Sequence, residues 1–76
     1  MKQKEKVFRR IASNEVMTPD GQCLIQQVVE LADGVVSRIY PLVMEQANTE
    51  WLKGRLVLRV DNENHVRAYY KDKPLA

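Results

Sequence analysis

The stretch Val28–Leu42, VVELADGVVSRIYPL, carries β-branched and other apolar residues on both sides of one Asp-Gly pair. Asp-Gly suits a two-residue type I′ turn, whose central positions both take positive φ, so the stretch predicts a β-hairpin. A two-residue turn places Leu31 opposite Val36 and Val28 opposite Ile39, whereas a three-residue loop shifts that register by one. Adjacent positions are apolar in both arms (Val28 and Val29, Val35 and Val36), which predicts a hairpin covered on both faces. A sandwich, a small barrel or an associating face would each supply that cover.

Working outward toward the N-terminus, TPDGQ at 18–22 has Pro at the second turn position and a glycine free to follow at positive φ. This is the chemistry of a second hairpin with a G1-type bulge. It joins the run CLIQQVVELA to VFRRIA and EVM, which are strand-like and separated by Ser13-Asn14-Glu15, a bulge or bend. Toward the C-terminus, LVMEQANTEWLKG holds helix formers, cap candidates at Asn48 and Thr49, and Gly54 placed as a stop. Its apolar residues keep no 3.6 period, so a short helix or helical turn over 48–53 is expected rather than a long one. RLVLRV then predicts a strand with Leu56, Leu58 and Val60 on one face, DNEN a turn, and HVRAYYK the returning strand.

Seventy-six residues make one thin-cored domain, burying roughly 60–65% of the unfolded surface. Short connections favour antiparallel pairing, because parallel crossovers need a dozen or more residues. The expected fold is therefore mainly β: a small antiparallel β-sandwich or roll of four to six short strands with one short helix or helical turn. Residues 7–71 form this domain, 1–6 a disordered basic arm, and 72–76 a loose tail. Residues 1–10 carry a net charge of +4 and the remainder −2, so the body is not a basic protein. No apolar run approaches the roughly 20 residues of a membrane span, and the cationic N-terminus lacks the apolar segment of a secretory signal. Cys23 is the lone cysteine, which fits a reducing compartment, and a cytoplasmic location is expected.

Little here is spaced for catalysis. One His and one Cys, with no H-x-H or C-x-x-C, give no zinc pattern, and the acidic residues fall mostly at turns. His65 stands at a turn-to-strand boundary and reads as solvated. Cys23, in an apolar run, reads as a small buried hydrophobe rather than a nucleophile. No glycine-rich phosphate loop is present. The expectation is a non-enzyme without metal or cofactor.

Two binding readings remain. In the first, the chain is an interaction module that binds itself or another protein, with Trp51 and Tyr40 as anchors. Trp51 reads first as a cap on the core, the common fate of a large aromatic in a small domain, and only otherwise as an anchor. In the second, a small β-barrel binds single-stranded nucleic acid through stacked aromatics framed by basic residues. Arg67, Tyr69 and Lys71 would do so on one strand, Arg55 and Arg59 on its partner, and Arg9 and Arg10 nearer the N-terminus. Tyr69 and Tyr70 must point to opposite faces, which sends one of them to the core.

The order Thr18-Pro19-Asp20-Gly21, then Val28 to Ile39 around its Asp-Gly, then Gly54-Arg55-Leu56-Val57-Leu58 resembles the small β domain flanking the barrel of amidohydrolase-type metal-dependent hydrolases. The resemblance covers residues 11–58. It implies a β-sandwich-like module whose final strand leads into a barrel where an H-x-H begins the metal ligands. Here that place reads RVDNENHVRAYY, with no H-x-H and no barrel residues after it, so no catalytic residue carries over.

Overall fold

The computed structural model describes residues 8–44 and 47–76, and the arm at 1–6 lies outside that range. Six strands make one mixed sheet: β1 Phe8–Met17, β2 Cys23–Ala32, β3 Val35–Pro41, β4 Thr49–Val60, β5 Val66–Tyr70 and β6 Lys73–Pro74. Their order across the sheet is β3-β2-β1-β4-β5-β6. The sheet curls until β3 and β5, four places apart in that order, come into contact. The mainly β expectation holds in the form of a single curled sheet.

The Asp-Gly hairpin forms as its residues dictate. Asp33 and Gly34 take φ of 52° and 79°, and Leu31 pairs with Val36. One step further a bulge shifts the register, so Val28 faces Tyr40 and Val29 faces Ile39. The expected Val28–Ile39 pair is corrected by this bulge, which leaves Ser37 without a register partner. In the TPDGQ turn Gly21 takes φ of 92°, its N–H donates to Thr18 O at 3.0 Å, and Thr18 N–H donates to Gln22 O at 2.8 Å. The β4–β5 turn repeats this pattern: Asn64 at φ 66° donates to Asp61 O, and Asp61 donates to His65 O. A second two-residue turn follows, with Lys71 and Asp72 both at positive φ. The chain thus runs twice through the same succession of turns, although its sequence shows no repeat.

Three expectations are corrected. β1 and β4 pair in parallel, so the sheet is mixed rather than antiparallel. The connection between them is the whole β2–β3 hairpin with its loop, residues 18–48, long enough to cross over. The helix expected over 48–53 is strand, and no helix occurs among the described residues. Pairing with β1 from Thr49 to Leu52 overrides the local helix formers. The tail is ordered rather than loose: β6 pairs with β5, and Leu75 packs on the core and donates its N–H to Ala68 O at 2.9 Å.

Gly54, read as a helix stop, sits inside β4 at φ 109°, where the β1–β4 register shifts. Asn14 Oδ1 accepts the Gly54 N–H at 2.8 Å, and the buried Ser13 hydroxyl donates to Gly54 O at 2.8 Å. The 13–15 irregularity is therefore the place where β1 meets a bulge in β4, with Lys53 and Gly54 together opposite Asn14.

The core lies on the inner face of the curl: Ile11, Val16, Val29, Leu31, Leu56, Leu58 and Ala68, flanked by Val36, Leu52, Val66, Tyr70 and Leu75. Strand alternation sends their neighbours outward. Val60, aligned with Leu56 and Leu58, is half-exposed at the strand end. Cys23 is exposed rather than buried, two residues before the exposed Ile25 on the same outward parity. No helix among the described residues is long and apolar enough to cross a membrane.

Candidate interaction surface

The register fixes what the outer face presents. Trp51 of β4 pairs with Ala12 of β1, Ala12 with Val28 of β2, and Val28 with Tyr40 of β3. These four residues form one row across four strands, with the two aromatics at its ends. Ala12 and Val28 are buried, while Trp51 keeps 50% of its surface in solvent. Trp51 is thus outside the core, which corrects its reading as a core cap. Phe8 and Ile25, by the same pairings with Ala32 and Glu15, flank the row and are exposed.

The adjacent row is polar. Thr49, Arg10, Glu30 and Arg38 follow one another across the same four strands. Glu30 is buried and accepts from Tyr40 Oη at 2.6 Å and Arg10 Nε at 3.1 Å, with Arg38 at 3.9 Å. The Tyr40 and Arg10 hydrogen bonds hold the Glu30 carboxyl below its ordinary value. Burial, then donation to Glu30, raises the Tyr40 phenol above its own. Glu30 escaped sequence reasoning because a single Glu within an apolar strand signals nothing until its partners on β1 and β3 are known. Through it Tyr40 is fixed in place, half-buried, while Trp51 stands free at the opposite end of its row.

The basic residues separate into groups. Arg9 makes a two-pronged ion pair with Glu50, with distances of 2.6 and 2.8 Å, and donates to Ala76 O. Arg10 is held by Glu30, and Arg55 pairs with Glu15 at 3.0 Å. Arg59 and Arg67 are register partners, as are Val57 and Tyr69, so Arg55, Arg59, Arg67 and Tyr69 share the outer face. Arg59 lies over the Tyr69 ring at 5.1 Å, and Lys71 over the Tyr70 ring at 5.4 Å. Arg67 pairs with Asp61 at 2.9 Å. Tyr70, the inward one of the tyrosine pair, packs on the core and donates its hydroxyl to Lys53 O at 2.7 Å.

Asp61, Glu63 and His65 place three ligand-type atoms within 4.8 Å of one another, a proximity their sequence spacing did not announce. The turn accounts for it. Asp61 Oδ1 accepts the N–H groups of Glu63 and His65, and its Oδ2 accepts from Arg67. These bonds, the His65 N–H first and the Arg67 guanidinium next, hold the Asp61 carboxyl down at about 2. The trio is a capped turn in which the Asp61 carboxylate already accepts three hydrogen bonds. Comparison with protein-family models, curated proteins and solved structures returned no match to this chain.

Proposed function

We propose that this chain is a non-catalytic interaction module that self-associates through the part of its outer face that carries Trp51. The observation behind this reading is a half-exposed indole at the end of a row whose middle is buried and whose other end is pinned by Glu30. Large aromatics held on rigid strands are the residues that dominate association energies. Phe8 and Ile25 are further exposed apolar residues of the same outer face. Trp51→Ala is the test. A core tryptophan would cost about 3–5 kcal/mol on truncation, whereas this one is expected to cost well under that and to abolish self-association. A large loss of melting temperature with association intact would overturn the assignment.

A second reading, single-stranded nucleic-acid binding, draws on Arg59 stacked over Tyr69 with Arg67 beside it. It ranks below the first because Arg9, Arg10, Arg55 and Arg67 already hold carboxylates, and Asp61 and Glu63 line the same shallow cleft as Arg59 and Tyr69. Oligonucleotide affinity falling steeply with salt would distinguish it.

A further inference from the structure

β4 has twelve residues, and β5 pairs only with Leu56–Val60. β4 touches no strand other than β1 and β5, so Thr49–Arg55 has β1 on one side and no strand on the other among the described residues. The direction of its main-chain groups follows from two contacts. Gly54 turns its N–H and C=O toward Asn14 and Ser13 of β1, while the Lys53 carbonyl meets the Tyr70 hydroxyl on the opposite side. Backbone groups alternate sides along a strand, so Thr49, Trp51 and Lys53 all direct their N–H and C=O toward the open edge. An unpaired edge of this kind is a template for another strand.

Resting on the self-association proposed above, we infer that the occupant of this edge is the same edge of a second copy, paired antiparallel about a two-fold axis at Trp51. The chemistry selects the register. Edge-directed residues must face edge-directed residues, which leaves registers centred on one residue. Centring on Glu50 or Lys53 sets like charges opposite each other, a destabilising arrangement. Centring on Leu52 brings Gly54, at φ 109°, into the ladder after only three residues. Centring on Trp51 keeps the five residues Thr49–Lys53 in regular pairing, with Trp51 facing its own copy and Thr49 facing Lys53. In that register Lys53 lies diagonal to the partner's indole, within reach for a cation–π contact. Glu50, pointing to the other face, is already neutralised by Arg9. Tyr70 marks the end of the available edge.

Cysteine pairing in a Cys23→Ser background tests the register. Thr49→Cys and Lys53→Cys, made on separate chains and mixed, fall directly opposite each other at about 5.5 Å between Cα atoms, within disulfide reach. Two copies of Thr49→Cys stand four residues apart along the strand, roughly 13 Å, out of reach. The expected result is an oxidised heterodimer in the mixture and none from either variant alone. A chain that sediments as a dimer yet gives no heterodimer overturns the edge pairing and leaves self-association standing. A chain that stays monomeric overturns both.

Discussion

Asp61 shows how much one carboxylate does in a small sheet. It caps the β4–β5 turn through two backbone N–H groups and fastens β5 to that turn through Arg67. Its folded value of about 2 lies below the ordinary 3.8, so its contribution to stability is complete above the unfolded value. That contribution is lost as pH falls from about 3.8 through about 2. Asp61→Asn is therefore expected to be less stable than the parent at neutral pH, with the gap closing across that acidic window in parallel denaturant melts. A gap independent of pH would contradict the assignment. The Asp at 61 was legible as a turn residue, because Asp and Asn favour turns for local reasons. Its Arg67 partner, like the Arg10 and Tyr40 partners of Glu30, was not. Those contacts depend on which strands lie side by side.

At the scale of elements, the two hairpins around β2 were legible because their turns are local chemistry. Gly34 is the sharpest case. It is buried at φ 79°, and an added Cβ would meet Arg67 Nη1 at 3.0 Å and Leu75 O at 3.5 Å. Gly34→Val forces a β-branched residue into left-handed backbone and crowds the tail, at a cost of at least about 1–2 kcal/mol. For a chain of this size each kcal/mol lowers the melting temperature by about 4–8 °C, and an unchanged melting temperature would sink the turn assignment. β4 was illegible for the opposite reason. Ala47 to Lys53 holds cap and helix-forming residues, and only the β1 strand that it joins in parallel makes Thr49–Lys53 extended. Gly54 was noticed as special and misplaced. The positive φ it supplies serves a bulge held by Ser13 and Asn14, forty residues away in sequence.

The described residues form one curled sheet with an apolar cluster on its inner face, and their outer face is only partly covered. The sequence reading anticipated a hairpin apolar on both sides, and both Val28 and Val29 are buried, one on each face. It did not anticipate the parallel centre of the sheet, because short neighbouring connections do not show where the chain re-enters after a hairpin. That re-entry leaves half of β4 with a strand on one side only among the described residues and sets Trp51 on it, two features the separate halves of the sequence do not suggest. A thin sheet with an open edge and an exposed indole side by side is stabilised by covering both at once. Sedimentation equilibrium of the unmodified chain, from micromolar to millimolar concentration, addresses this claim most directly. A two-fold increase in mass that is reversible on dilution is the predicted result; a monomer mass across the whole range would contradict it.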